Sequence, residues 1–386
     1  MHPLFVLGGL VLAGLLAACA QPRVDAGPHL AAPAAIDAAI PGAMAKVHAE
    51  GIAVAAIDAG QVVYLRAFGR RNEAGEPLRT DTVMVAASLT KPVFAYLVMQ
   101  LVDEGRIDLD APIQRYLPQP LPDYPAQRPY PAWSDLSGDE HWRAITPRML
   151  LDHSSGLPNL PALEPGGKLS LHFEPGARFA YSGAGFNLLQ FVIENGLGLD
   201  VDAEMRRRVF ERFDMRHTSL SWQPDGVDNQ ADGYTAAGEL RPHPRRRRAA
   251  AASSMDTTLE DYARFVAGFV RGDGLSAASR GAMTTPQEPI ATATEFPTFQ
   301  AELAPERRRA DLAAGLGLIL FDGPQGPAFF KGGHEDDAGN TWICLARPAR
   351  CVVLLSNDVR AENAFPGIVA AILGDTGAPW RWEYGR

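Results

Sequence analysis

Ser88 and Lys91 are the first two side chains whose types and spacing point to chemistry. They lie three residues apart, after a turn at Thr80-Asp81-Thr82 and directly before the apolar run Pro92–Val102. The run predicts a largely buried helix, and residues three apart in its first turn share one face. A lysine held beside a hydroxyl in a partly desolvated site loses part of its preference for the charged form, so it can accept the serine proton. The pair is a candidate nucleophile with its activating partner; the alternative is an N-cap serine followed by a surface lysine.

A second serine, Ser182, competes for the role of nucleophile. Its surroundings, Ala180-Tyr181-Ser182-Gly183-Ala184, come close to the Gly-x-Ser-x-Gly nucleophile elbow and precede an apolar helix predicted over Phe186–Gly196. Alanine stands at both glycine positions of that motif, and the chain lacks the regular alternation of strands and helices that would confirm it. We therefore favour Ser88 over Ser182.

The segment Thr82–Gly105, with Tyr116-Leu117-Pro118 after it, resembles the serine β-lactamase-like family. That family includes class C β-lactamases, D-alanyl-D-alanine carboxypeptidases, and related esterases and D-aminopeptidases. The resemblance extends over Ile36–Leu373 and implies a serine hydrolase that needs no cofactor. It implies catalytic side chains at Ser88, Lys91, Tyr181 and Lys331, an oxyanion hole formed by the backbone N–H groups of Ser88 and His334, and substrate contacts at Gly183, Gly332, Gly333 and His334.

Two family motifs are altered in this sequence. Tyr181 matches the tyrosine of the Tyr-x-Asn motif, but Gly183 replaces the asparagine that contacts the lysine and the substrate amide in the family. Lys331-Gly332-Gly333-His334 matches the Lys-Thr-Gly motif, with Gly332 in place of the threonine that contacts a substrate carboxylate. Glycines beside a lysine on a strand still suit close approach of a ligand, and the His334 side chain is a further functional candidate. We therefore expect an esterase or a peptidase rather than a β-lactamase.

Tyr181 is expected to lie between Lys91 and Lys331. The two cations would favour the phenolate and so lower the pKa of Tyr181, which would take the proton from Ser88 and return it to the leaving group. Whether Tyr181 or Lys91 is the general base stays open at this point.

His153 lies in the family-like stretch Ile145–Pro158, which is structural in the family and shapes the floor of the cleft. Buried polar side chains are in general hydrogen-bonded. We therefore predict that His153 is a buried, satisfied histidine rather than a catalyst.

The order of predicted elements indicates an α+β fold. A helix over Asp37–Glu50 and a hairpin over Ile52–Gly69 open the chain, while four strands between Gly315 and Leu355 and a helix over Glu362–Leu373 close it. We expect one antiparallel sheet flanked by N- and C-terminal helices, with an all-helical lobe inserted between its two halves. The predicted boundaries are 36–87 and 312–373 for the sheet lobe, 88–311 for the helical lobe and 374–386 for a C-terminal tail.

The first residues predict export. Leu4–Ala18 is uninterruptedly apolar or glycine, which is too short for a membrane span of ~20 residues but suits a signal peptide over residues 1–18. Leu16-Ala17-Ala18-Cys19 resembles a bacterial lipoprotein processing site, which predicts lipidation of Cys19, a tether over residues 19–35 and a place on the periplasmic side of the cell envelope. The alternative is ordinary cleavage near Ala20 and a soluble periplasmic protein.

Export would place the remaining cysteines in an oxidising compartment. Cys344 and Cys351 lie on two apolar runs joined by a predicted hairpin turn, so they can face each other in a cross-strand disulfide. Two free buried thiols are the alternative, because the sequence alone does not fix the register of a hairpin.

Charge and composition narrow the range of partners. The net charge of −9 argues against nucleic-acid binding, and no group of residues has metal-ligand spacing. We expect a small-molecule, peptide or cell-wall substrate, a membrane contact through the lipid anchor, and no metal or other cofactor. The alternative function is a non-catalytic envelope protein that binds peptidoglycan or a partner; the altered positions Gly183 and Gly332 favour it, whereas the intact catalytic set argues against it.

Overall fold

A computed structural model describes residues 30–224 and 227–385. The expected signal peptide and Cys19 lie outside these residues, as does most of the expected tether. In the described part of the chain, no helix has both the length and the apolar character needed to cross a membrane.

Strands near the two ends of the chain form the central sheet. The strands are β1 (Gly51–Asp58), β2 (Gln61–Gly69), β3 (Met84–Val85), β4 (Gly233–Tyr234), β5 (Leu240–Arg241), β6 (Asp256–Thr257), β7 (Glu288–Pro289), β8 (Ala313–Ala314), β9 (Ile319–Gly323), β10 (Gly326–Glu335), β11 (Ala338–Ala346) and β12 (Ala349–Ser356). An eight-stranded sheet has the order β2-β1-β12-β11-β10-β9-β8-β7, and β3-β6 and β4-β5 form two-stranded pairs. Neighbouring strands of the eight-stranded sheet are antiparallel. For example, Ile52 of β1 lies opposite Ser356 of β12.

The helices cover both faces of this sheet. They are α1 (Pro33–Val47), α2 (Thr90–Asp103), α3 (Pro147–Leu151), α4 (Gly183–Gly196), α5 (Val201–Met205), α6 (Leu259–Arg271), α7 (Ala277–Met283), α8 (Phe365–Leu373) and α9 (Trp380–Tyr384). A short 3-10 turn, Ala87–Leu89, directly precedes α2 and contains Ser88. A helical turn of π type, Arg206–Phe210, continues α5.

Strand β1 shows how the sheet separates two hydrophobic cores. Successive side chains of a strand point to opposite faces, so a strand covered on both faces is apolar throughout. Helices α2, α4 and α6 contribute to the core on one face, and α1 and α8 contribute to the core on the other. The side chains of β1 divide between these cores as Ala53, Ala55 and Ile57 on the first face and Ile52, Val54 and Ala56 on the second.

The α+β class predicted from the sequence is confirmed, and the structure differs from the predicted division of the chain in three details. Helix α1 begins at Pro33, because proline suits the first turn of a helix, so the last residues of the expected tether are helical. The expected all-helical lobe contains the short pairs β3-β6 and β4-β5 together with β7, which joins the main sheet. The expected C-terminal tail contains α9, and Trp382 in that helix is only 5% exposed because it packs into the second core.

Cys344 and Cys351 form a disulfide bond. They lie opposite each other in the register of β11 and β12, with Cα atoms 4.1 Å apart. Both residues are fully buried. Of the two alternatives left by the sequence, the structure has the cross-strand bridge.

The disulfide is expected to stabilise the fold. Wild-type protein refolded under reducing conditions should have a free energy of unfolding lower by about 2 kcal/mol than the oxidised protein, because the bridge restricts a short loop of the unfolded chain. Urea denaturation of the two forms measures the difference. A Cys344→Ala/Cys351→Ala variant should be indifferent to reductant, and equal stabilities of oxidised and reduced wild type would contradict the prediction.

Candidate active site

Ser88 lies in a strained turn at the start of a buried helix. The residue before it, Ala87, has φ +50°, in the left-handed region that alanine rarely adopts. The Thr90 hydroxyl holds this turn, since it donates to Ala87 O at 2.6 Å and accepts from the Met255 N–H at 3.1 Å. Ala87 and Leu89 are fully buried, whereas Ser88 is partly exposed. The turn therefore leaves Ser88 partly accessible at the start of a buried helix.

Lys91 lies behind Ser88, one helical turn further along. Its Nζ is 3.1 Å from Ser88 Oγ and donates to Ala252 O at 2.7 Å. The residue is 1% exposed, and burial, helped by the charge of Lys331, lowers the pKa of Lys91 well below its usual value. A neutral amine at this position can accept the serine proton.

Tyr181 approaches Ser88 from the segment before α4. Its hydroxyl donates to Ser88 Oγ at 2.9 Å, and its ring centroid lies 4.8 Å from Lys91 Nζ and 4.9 Å from Lys331 Nζ. The tyrosine is thus between the two lysines, as expected. The expected lowering of its pKa is wrong: burial raises the pKa of Tyr181 to about 12, although the Lys331 charge acts in the opposite direction. The raised pKa keeps the Tyr181 hydroxyl protonated at rest, which favours Lys91 as the candidate base.

Lys331 points into the same site from β10. It is 2% exposed, and its Nζ donates to Gly332 O at 2.8 Å. Burial acts to lower the pKa of Lys331, but the opposing effects of Tyr181, Glu295 and Glu383 are larger together, so the pKa is raised. The site accordingly contains one lysine whose charged form is favoured, Lys331, and one whose charged form is disfavoured, Lys91.

Gly333 lets β10 pass directly beside the nucleophile turn. A Cβ added at Gly333 would lie 2.6 Å from Ala86 O, closer than side chains approach backbone. Asn340 fixes the approach, because its Nδ2 donates to Val85 O at 3.1 Å and to Gly333 O at 3.2 Å. This contact places the backbone of the next residue, His334, beside the start of the turn that contains Ser88. The N–H group of His334 is the second expected donor of the oxyanion hole.

The His334 side chain points toward Glu362 in the 3-10 turn Val359–Asn363, just before α8. Its Nδ1 lies 2.9 Å from Glu362 Oε1, and its ring is 60% exposed. The hydrogen bond to Glu362 raises the pKa of His334. The structure thus brings Ser88, Lys91, Tyr181 and Lys331 together and leaves the imidazole of His334 at the rim.

Ser182 caps helix α4 and is fully buried. Its Oγ donates to Pro158 O at 3.0 Å and accepts from the Gly185 N–H at 2.9 Å. The bond from Gly185 is that of a helix N-cap, and the bond to Pro158 ties the cap to an earlier segment of the chain. The competing nucleophile motif therefore has a structural explanation, consistent with the choice of Ser88.

Gly183, the position of the missing asparagine, is occupied by another part of the chain. A Cβ at Gly183 would lie 2.7 Å from Asn159 O and 2.8 Å from Asn159 Oδ1, and the Gly183 N–H donates to that Oδ1 at 3.0 Å. The lysine contact that the asparagine makes in the family is supplied here by the Ala252 carbonyl. The space of the lost side chain is filled by Asn159.

His153 is buried beneath the site, as predicted. Its Nδ1 accepts the Ser182 N–H at 3.0 Å, and its ring packs 4.5 Å from that of Tyr181. Burial, together with the charges of Lys91 and Lys331, lowers the pKa of His153 well below its usual value. The neutral imidazole ring of His153 packs against the ring of Tyr181 and helps to hold it in position.

Two carboxyl groups near Lys331 were missed in the sequence. Glu295 lies in an irregular segment that continues to Phe296, whose ring is 5.5 Å from that of Tyr181. Glu383 belongs to α9, beyond the last predicted element. Neither sits in a recognisable motif, but the aromatic residues Trp380, Trp382 and Tyr384 were a signal that the C-terminal residues pack against the fold.

Comparison with known proteins agrees with the fold. The family model described as Beta-lactamase matches residues 36–374. Esterase EstB from Burkholderia gladioli is 38% identical over 99 residues, which is 25% of this chain and 22% of that protein. Penicillin-binding protein 4* from Bacillus subtilis (strain 168) is 26% identical over 204 residues, which is 47% of this chain and 41% of that protein. The chain therefore spans less than half the length of either relative.

A solved structure, the octameric penicillin-binding protein homologue from Pyrococcus abyssi, superposes with a TM-score of 0.67 at 21% identity. The superposition covers 90% of this chain and 78% of that one, and it shows that the fold is shared. On the family match, this chain belongs to the beta-lactamase family.

The assignment of Lys91 as the base predicts a pH profile. The rate at which Ser88 reacts with a fluorophosphonate should rise with pH as Lys91 loses its proton, with a midpoint well below the ordinary lysine pKa of about 10.4. In Lys331→Met the midpoint should move to higher pH, because removal of the Lys331 charge lets Lys91 hold its proton longer. Intact-protein mass spectrometry at a series of pH values measures both profiles.

The control for this profile is a variant whose side chain at position 91 stays positively charged at every pH. Lys91→Arg should react at least ~100-fold more slowly at every pH, since guanidinium stays protonated. A midpoint in Lys331→Met at or below the wild-type midpoint would show that Lys91 is not the titrating group.

The capping role of Ser182 predicts a loss of stability without loss of the nucleophile. Ser182→Ala should lower the free energy of unfolding by about 1–3 kcal/mol, because the Gly185 N–H and Pro158 O lose their buried partner. Urea denaturation measures the change, and Ser182→Thr, which keeps a hydroxyl, should recover part of it. Unchanged stability in Ser182→Ala would be inconsistent with a capping role.

Proposed function

We propose that the protein is a serine hydrolase that cleaves ester bonds through a Ser88 acyl-enzyme. The observation that carries the proposal is the geometry at Ser88 Oγ, which lies 3.1 Å from a buried lysine amine and 2.9 Å from a tyrosine hydroxyl. A nucleophile within hydrogen-bond reach of a base with a lowered pKa is the arrangement that activates serine. Membership in the beta-lactamase family supports the same chemistry.

In the acylation step, neutral Lys91 accepts the Ser88 proton while Oγ forms a bond to the substrate carbonyl carbon. The carbonyl oxygen takes the negative charge, and the backbone N–H groups of Ser88 and His334 stabilise it, each contributing ~3 kcal/mol to the transition state. When the bond to the leaving alcohol breaks, the proton held by Lys91 is returned to the leaving oxygen. Tyr181, which keeps its proton and faces the same Oγ, is placed to relay it.

Deacylation repeats these steps with water in place of the alcohol. Lys91 accepts a proton from the water, the resulting hydroxide attacks the acyl carbon, and the proton goes back to Ser88 Oγ as the acid leaves. The charge of Lys331 stays close to Tyr181 throughout, which favours negative charge in the cleft.

Several features support an ester as the substrate. Gly183 and Gly332 lack the side chains with which the family contacts the amide and the carboxylate of β-lactams and peptides. Phe296, 45% exposed beside Tyr181, adds an apolar surface for an acyl or alcohol group. The similarity to an esterase, EstB, points in the same direction. A binding protein without catalysis is the competing function, and the strained turn at Ala87 together with a buried lysine would serve no purpose in it.

The proposal is tested by intact-protein mass after incubation with a fluorophosphonate. We expect one adduct on wild type and on the Ser182→Ala and Ser134→Ala variants, the latter a surface serine, and no adduct on Ser88→Ala. Wild type should then hydrolyse simple acyl esters, with activity lost in Ser88→Ala.

Two results would overturn the proposal. Absence of an adduct on all four proteins would favour the binding protein. An adduct that disappears only in Ser182→Ala would transfer the nucleophile to Ser182.

A further inference from the structure

The C-terminal helix α9 is built into the wall of the active site. Trp382 is anchored on the segment before Phe296, because its Nε1 donates to Thr292 Oγ1 at 3.1 Å and its carbonyl accepts the Glu295 N–H at 2.8 Å. Its ring also packs 5.9 Å from Phe179, two residues before Tyr181. These contacts fix the position of the residue that follows, Glu383.

Glu383 occupies the space that a side chain at Gly332 would need. A Cβ added at Gly332 would lie 1.7 Å from Glu383 Oε1 and 2.8 Å from its Cδ. A threonine at position 332 and a carboxyl group from α9 therefore exclude each other in this arrangement. At the strand edge where the family has a hydroxyl, this protein presents a carboxyl group.

Glu295 adds a second carboxyl group to the same region. Its residue is 6% exposed, and among the described residues no hydrogen-bond partner reaches Glu295 Oε1 or Glu383 Oε2. Burial raises the pKa of Glu295, opposed by the charges of Lys331 and Lys91. Burial and the charge of Glu295 raise the pKa of Glu383 well above its usual value.

Lys331 is the cation that acts on both carboxyl groups, and Glu295 is also affected by Lys91 and His334. A buried carboxylate needs a cation or hydrogen-bond donors to offset its desolvation. Glu295 therefore depends on the charge of Lys331, whereas burial and the charges of Glu295 and Glu362 favour the neutral form of Glu383. A carboxylate on the substrate would have to share the charge of Lys331 with Glu295.

We propose that Glu383, with Glu295 behind it, is a specificity-determining residue that excludes substrates carrying a carboxylate beside the scissile bond and selects neutral esters. The inference rests on the proposed hydrolase function and names its substrate class. Exclusion has two causes: the Glu383 carboxyl group fills the place beside Gly332, and a carboxylate on the substrate would meet Glu295, which already depends on the charge of Lys331. Acyl compounds such as β-lactams and peptides with a free C-terminus belong to the excluded class.

A matched pair of phosphonate esters tests the proposal. The two probes share one scaffold and differ only in a carboxylate or a primary carboxamide beside the phosphorus, and the rate of adduct formation on Ser88 is followed by intact-protein mass. Wild type should react with the carboxamide probe at least about tenfold faster than with the carboxylate probe. Glu295→Gln should reduce this ratio by raising the rate with the carboxylate probe, and Glu383→Ala should do so most, since it opens the space beside Gly332. Glu383→Gln keeps the size of a neutral carboxyl group and should change the ratio little. Glu306→Gln, a change at an exposed carboxylate, should retain the wild-type ratio.

The outcomes separate this proposal from the hydrolase function. If neither probe modifies wild type, the proposed function itself fails. If both probes react with wild type at equal rates, or if the ratio persists in Glu383→Ala with its thermal unfolding unchanged, the serine is activated but Glu383 does not determine specificity.

Discussion

A buried amine beside a hydroxyl is the constraint on which this structure depends. Lys91 lies in the core side of helix α2, where its charged form is strongly disfavoured, and two hydrogen-bonding contacts, with Ser88 Oγ and Ala252 O, satisfy it. The rings of Tyr181 and Phe186 enclose it at 4.8 and 5.6 Å from Nζ. Water is kept from this amine because the sheet, the neighbouring helices and the segment around Ala252 pack against it. The chemical environment of Ser88 therefore depends on the packing of the whole core.

The sequence predicted the parts of the site that are carried by side chains within continuous motifs. The spacing of Ser88 and Lys91 and the position of Lys331 on a strand follow from helical and strand periodicity, and the α+β class follows from the order of the elements. The pKa of Tyr181 was predicted in the wrong direction because a count of neighbouring charges omits desolvation, whose size depends on how tertiary packing closes over the ring.

The parts that could not be predicted are those supplied from a distance. The carbonyl of Ala252 holds Lys91 through a backbone group, and backbone groups carry no signature of residue type. Asn159 and Glu383 fill the space beside Gly183 and Gly332, so each glycine is explained by a residue far away in the chain rather than by the loss of a function. The two positions at which the sequence lacks a family side chain are thus occupied in the structure by side chains from other segments. The effect of each glycine on the site depends on the side chain that takes its place.

The pairing of β1 with β12 has a consequence for biosynthesis. The Ser356 hydroxyl donates to the carbonyl of Gly51, which lies 305 residues earlier in the chain. Contacts between residues so far apart in sequence form late, because a long loop must close before they stabilise anything. Strand β1 cannot pair with β12 until nearly all of the given chain has been made. Helix α9 must also be made before Glu383 can pack beside Gly332. A partly synthesised chain that lacks β12 and α9 therefore lacks the complete surroundings of Ser88, which can assemble only after Glu383 has been made.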